Sequence, residues 1–151
     1  MDSLKERLRN DLTTSMRARD ELRMSTLRMV LTAVTTSEVA GATARELSDS
    51  EVLGVLTKEA KKRHEAADAF RDAGRTDRAE REEAEAGVIA EYLPAPLSDD
   101  ELATMVDAAV AETGASSPRD MGVVMKALQP RTTGRADGAR VAAAVRARLN
   151  S

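Results

Sequence analysis

Apolar residues in this chain recur every three or four positions, and serine, glycine and proline punctuate the segments that carry them. Leu4, Leu8, Leu12 and Met16 form an i+4 stripe that predicts a first helix over about Ser3 to Arg19. Leu27, Val30, Leu31 and Val34 predict a second over about Asp20 to Val39, stopping at Gly41. A third, about Asp49 to Ala73, begins apolar at Val52, Val55 and Leu56, becomes strongly charged and closes on Gly74. A fourth, Asp77 to Leu93, stays polar until Val88, Ile89, Tyr92 and Leu93. Pro94-Ala95-Pro96 then interrupts the pattern, because two prolines one residue apart cannot continue a helix. Three shorter helices follow: about Ser98 to Thr113 (Leu102, Val106, Val110), Pro118 to Leu128 (Met121, Val124, Met125) and Asp137 to Asn150 (Val141, Val145, Leu149).

Helix starts repeat one device. Ser3 with Glu6, Ser48 with Glu51, Ser98 with Glu101 and Ser117 with Asp120 each pair a capping hydroxyl with a carboxylate at N3. Leu47 with Val52 and Leu97 with Leu102 add hydrophobic staples, and Pro118 sits at N1, where no N–H is needed. The expected fold is therefore all-α. An N-terminal four-helix region, residues 1–93, is joined by the Pro-x-Pro break to a C-terminal three-helix domain, residues 94–151.

Composition agrees with that class. Of 151 residues 42% are apolar, supplied by Ala, Leu, Val and Met with one Phe and one Tyr, which suits close helix packing better than strands. Cysteine is absent, which excludes disulfides, thiolate metal sites and a cysteine nucleophile. No apolar run approaches the roughly 20 residues that span a bilayer, and Met1-Asp2-Ser3-Leu4-Lys5-Glu6 does not read as a signal peptide. A cytoplasmic, membrane-free protein is expected.

Charge is uneven along the chain. Residues 115–151 hold seven Lys/Arg against two acids, in a protein whose net charge is −3. Lys126, Arg131, Arg135 and Arg140 are the candidate anion-contacting residues, with Arg131 and Arg135 bracketing Thr132-Thr133-Gly134 as a polar loop able to fold around a phosphate, such as that of an RNA backbone. The competing reading is a solvated surface loop. Missing aromatics in this half argue against base stacking, so any RNA contact reads shape and backbone, and no DNA partner is expected. Gly122 is open to two readings: close helix packing, the usual reason for an interior glycine, or a backbone that must approach a phosphate or ribose. Gly134 and Asp137 read as turn and cap.

Other polar clusters read as structural. Lys58, Lys61, Lys62 and Arg63 lie among neutralising Glu59, Glu65 and Asp68, and His64 has no local partner for zinc or acid–base work. Glu80, Glu82, Glu83 and Glu85 lack the Glu-x-x-His pairing of a bundle metal site and read as solvated surface. Arg28, inside an apolar stripe, calls for a carboxylate partner. No metal or cofactor is expected.

The ordered set Leu27-Arg28, Lys58-Glu59-Ala60-Lys61-Lys62-Arg63, Ala73-Gly74-Arg75, Glu91-Tyr92-Leu93-Pro94, Asp120-Met121-Gly122-Val123-Val124-Met125-Lys126 and Gly134-Arg135-Ala136-Asp137 resembles the GatB/YqeY family, over essentially the whole chain. The agreement is greater with free-standing YqeY-like members, whose C-terminal part is similar to the GatB tail domain of the tRNA-dependent aspartyl/glutamyl amidotransferase. Gln129-Pro130-Arg131-Thr132-Thr133 lengthens the link before Gly134 relative to that tail. The resemblance implies a structural motif at Gly122, Met125, Gly134 and Asp137. It also implies a tRNA, or a tRNA–amidotransferase or synthetase complex, as partner. A carbon–nitrogen ligase activity with glutamine as amido donor attaches to the family. The chain has no nucleophile segment, no phosphate loop for ATP and no carboxylate–histidine metal set, so the reaction itself is assigned to partners. A non-catalytic accessory protein is the expectation; a protein–protein interaction module without RNA is the alternative.

Overall fold

The computed structural model describes residues 2–151, and the described residues are all-α. Helix α1 (Leu4–Ala18) is followed by α2 (Glu21–Glu38), α3 (Asp49–Asp72), α4 (Thr76–Ala90), α5 (Asp99–Thr113), a 3-10 turn at Pro118–Asp120, α6 (Met121–Thr132) and α7 (Gly138–Leu149). The chain divides into two compact units, Met1–Leu93 and Pro94–Ser151.

In the first unit α1 and α2 form a hairpin whose two-residue turn places Arg19 in the left-handed region at φ 57°. Lys5, near the start of α1, closes the hairpin by an ion pair at 2.7 Å to Glu38, the last residue of α2. Asp49, which opens α3, accepts the Leu4 amide at 3.0 Å and so supplies a partner for one orphan N–H of α1. The capping boxes at Ser3 and Ser48 are both made. Leu8, Leu27, Val30, Val34, Val52, Leu56, Val88 and Ile89 fill the core. Tyr92 joins them: its hydroxyl donates to Asp11, Arg7 stacks 4.7 Å over its ring, and burial with the Asp11 bond pushes its phenol pKa up.

Farther along the α3–α4 hairpin, closed by Gly74 at φ +74°, packing changes character. Ala67 and Ala79 are fully buried. Arg63 lies 3.4 Å from Glu82 and 3.8 Å from Glu85, and His64 Nδ1 lies 3.2 Å from Glu83. The acidic run of α4 is therefore not a solvated surface throughout: Glu82 and Glu85 turn toward α3 and are mostly buried against Arg63. The fourth helix is also shorter than its apolar pattern predicts. After Ala90 the amides of Glu91, Tyr92 and Leu93 bond three residues back, since Pro94 disfavours helical backbone at Leu93.

The second unit packs α5, α6 and α7 around Leu102, Val106, Ala109, Val110, Val124, Leu128, Val141, Val145 and Leu149, with Leu97 closing one end. Ser98 and Glu101 complete their capping box. At the 3-10 turn Asp120 accepts from the amides of Ser116 and Ser117. Helix α6 runs one turn past the predicted end at Leu128 and carries Pro130 in its last turn. Thr132 is the reason: it is 5% exposed, so burying it requires the helix to reach that far. Among the described residues no helix is long and apolar enough to cross a membrane.

Candidate functional site

Folding removes much of the charge asymmetry seen along the sequence. Residues 94–151 contain seven basic and seven acidic side chains, and five of those acids, Asp99, Asp100, Glu101, Asp107 and Glu112, lie on α5. Packing α5 beside α6 and α7 sets these carboxylates against the arginines. Arg131 meets Glu112 at 3.0 Å, Arg135 meets Glu101 at 3.6 Å, Arg140 meets Asp99 at 2.7 Å and Arg148 meets Asp107 at 2.8 Å. Three of the four cations picked out by sequence are thus already paired with the protein's own acids.

Two of those three also hold the backbone. Arg135 Nε donates to the Ala95 carbonyl at 3.0 Å, and Arg140 donates to the Leu97 carbonyl at 2.8 Å. The Leu97 amide in turn donates to the Arg135 carbonyl at 2.9 Å. Pro94 and Pro96 offer no N–H, so the segment entering α5 cannot pair through its own donors there, and these guanidinium groups fix its acceptors instead. The Gly134-Arg135-Ala136-Asp137 motif is therefore a clamp on the start of the unit. Gly134 supplies φ +79° after α6, a conformation that glycine adopts without strain, and Asp137 caps α7 by accepting the Ala139 amide at 3.2 Å. Met125 is half-buried against the core.

The phosphate-cradling loop expected at Thr132-Thr133-Gly134 does not form. Thr132 is the buried end of α6 and its hydroxyl donates back to the Leu128 carbonyl, while the Thr133 hydroxyl donates to the Gln129 carbonyl at 2.6 Å. Both hydroxyls are used within the helix.

Lys126 differs from the three arginines. It is exposed on α6, and among the described residues no carboxylate lies within 4 Å of it. Gly122 stands one turn before it, also exposed, and a Cβ built on it meets no atom within 4 Å. Close helix packing, the favoured sequence reading of this glycine, is overturned: within the unit nothing approaches it. Val123, beside it, is 56% exposed. Arg119 in the 3-10 turn adds a second exposed cation without an ion pair among the described residues. Spacings of three and four residues put Arg119, Gly122, Val123 and Lys126 on one side of α6, opposite Val124 and Leu128. Sequence reasoning missed Arg119 and Val123, although the α6 register alone predicts their side.

Outside this unit, Lys62 pairs with Glu59 at 3.2 Å and Arg63 with α4, so the basic segment of α3 is largely neutralised, mainly by acids of α4 rather than by its own Glu65 and Asp68. Arg28 departs from expectation. It is exposed, not buried in its stripe, and has no carboxylate within 4 Å among the described residues. Among the described residues no group of His, Asp and Glu is arranged to hold a metal ion.

Comparison with known proteins gives a relative and a family for the chain. A protein of Schizosaccharomyces pombe described as uncharacterized is 36% identical over 93 residues, which cover 61% of this chain and 73% of the relative. Residues 5–149, spanning every helix from α1 to α7, match the family described as Yqey-like protein, and the chain belongs to that family.

Proposed function

We propose that this protein is a non-catalytic accessory module, related to the tail of the glutamine-dependent tRNA amidotransferase, whose C-terminal unit binds tRNA along the open side of α6. The observation that carries this reading is Gly122. It sits in a helix where glycine is the poorer choice, no neighbour in the unit needs its missing side chain, and two unpaired cations flank it. A bare backbone between Arg119 and Lys126 lets a phosphodiester strand approach more closely than any side chain at 122 would allow. Contacts of this kind are electrostatic and indifferent to base identity.

Arg131 is a secondary contact. Its pair with Glu112 leaves both side chains about half exposed, and such pairs are worth only about 0–1 kcal/mol, so a phosphate can displace the carboxylate at little cost. Arg135 and Arg140 act chiefly on the Ala95–Leu97 backbone and contribute to binding by holding the unit in shape.

Titration of unmodified tRNA transcript into the full chain at several salt concentrations tests the proposal. Affinity is expected to fall with salt, and Lys126→Ala should reduce the log–log slope by about 1. Gly122→Leu is the sharper variant: it has room to fold, yet should abolish binding while leaving the melting temperature unchanged or higher. Absence of binding at low salt, or full affinity in Gly122→Leu, would overturn the assignment.

A further inference from the structure

The first unit carries an open groove on the α1–α2 hairpin, with a volume of about 490 Å³ and a lining of Leu12, Leu31 and Val39 beside Arg28, Thr32 and Thr35. Its surroundings concentrate the unit's exposed apolar surface. Met16, one turn beyond Leu12 on α1, is 48% exposed and Val39, at the end of α2, is 59% exposed; they are the two large apolar side chains left open in residues 2–93. Leu12 and Leu31 are half-buried against the core and present their remaining surface here.

Charge in the groove has one sign. Arg28 lies at its side with no ion pair among the described residues, and Arg9, one turn before Leu12, acts only at a distance by helping to hold Glu38 below its usual carboxylate range after Lys5 and the Leu47 amide. Elsewhere in the unit Arg23 pairs with Glu91, Arg45 with Glu51, Arg63 with Glu82, Arg71 with Glu83 and Arg81 with Glu85, whereas Arg17 and Arg19 on the α1–α2 hairpin, like Arg28, make no ion pair among the described residues. No carboxylate among the described residues pairs with Arg28, which leaves its guanidinium open to an acidic partner.

We propose that the α1–α2 groove docks an amphipathic helix from a partner protein, one with apolar anchors at i, i+4 and i+7 and acidic residues flanking them. The dimensions agree. Leu31 and Val39 are eight residues apart on α2, about 12 Å along the axis, while anchors seven residues apart on a docked helix span about 10.5 Å. Arg28 selects carboxylates on the incoming flank by a charge-assisted hydrogen bond. Helix-in-groove recognition has this form.

Two synthetic peptides of about 18 residues, with identical leucine spacing and either Glu or Lys on the flanks, test the proposal when each is titrated into the full chain under amide NMR. The acidic peptide should saturate, with shifted amides clustered around Leu12, Leu31, Thr35 and Val39. The basic peptide should bind at least about tenfold more weakly, and Arg28→Glu should reverse that preference. Val39→Ser should weaken both by about tenfold with unchanged melting, since Val39 stands outside the core and the change adds no charge. The proposal is overturned if neither peptide binds at millimolar concentration or if the shifts fall elsewhere. It is equally overturned by a charge preference that survives Arg28→Glu, or by sedimentation showing that the groove is covered by a second copy of the chain.

Discussion

The two units use charge in opposite ways. In residues 1–93 acids and bases are mixed along the helices, and ion pairs reach into the packing: Arg63 is mostly buried between Glu82 and Glu85. In the second unit acids and bases are separated along the sequence, and folding brings them together at the surface, where Arg131, Arg140 and Arg148 meet α5 with both partners substantially exposed. A run of arginines in a sequence is therefore not a positive surface until the topology is known. Here α5 returns the acids that the tail lacks, and what remains free is set by register. Lys126 and Arg119 are exposed, and no acid of the unit pairs with them.

The largest test of this contrast concerns the cores. Leu56→Ala and Leu128→Ala each remove a fully buried side chain and should cost about 3 kcal/mol. The second unit has fewer than 60 residues and less core to spare, so Leu128→Ala should unfold it near ambient temperature while amides of α1–α4 keep their exchange protection. Simultaneous loss of protection in both units would break the comparison.

Next come the ion pairs. Arg63→Ala leaves the mostly buried Glu82 without its partner, while Glu85 keeps Arg81 at 3.2 Å, and should cost about 2 kcal/mol by denaturant unfolding. Arg63 Nε and Glu82 Oε2 make no hydrogen bond, so the pair is imperfectly satisfied. Replacing Arg63 with Met and Glu82 with Leu together should accordingly restore stability or raise it. By contrast, a double-mutant cycle on Arg131 and Glu112 should give a coupling below about 1 kcal/mol that shrinks with added salt. A larger coupling would make that pair structural and remove Arg131 from the proposed RNA contacts.

The smallest effect is set by pH. Glu51 is held down at about 2 by hydrogen bonding to Arg45 and then by the Ser48 amide. Glu101 is lowered by Ser98, with a further pull from Arg135. Because these folded values lie below the unfolded ones, the caps contribute at neutral pH and lose their contribution as pH falls from about 4.5 toward 2. A carboxyl titration of Glu51 by NMR should show its midpoint near 2; a midpoint near 4.5 would mean that Arg45 does not hold it.

Helix number, order and most boundaries were legible in the sequence because they depend on local rules. Period, serine caps with N3 carboxylates and the proline break act within a turn or two of the chain. The exceptions are tertiary. Helix α6 outruns its apolar pattern to bury Thr132, and α4 stops short of its last apolar residues because Pro94 governs Leu93. Candidate site residues were legible as chemistry but not as roles: Arg131, Arg135 and Arg140 have the right type, yet two of them clamp the Ala95–Leu97 backbone.

By itself the sequence determined an all-α chain, its capping boxes and the turn glycines, since each follows from backbone geometry within a few residues. Only the tertiary structure decided which cations are spoken for, that Gly122 faces open space and that Arg28 stands unpaired beside a groove. Coulomb partners and packing neighbours are set by distances between segments tens of residues apart, and no local pattern encodes those distances.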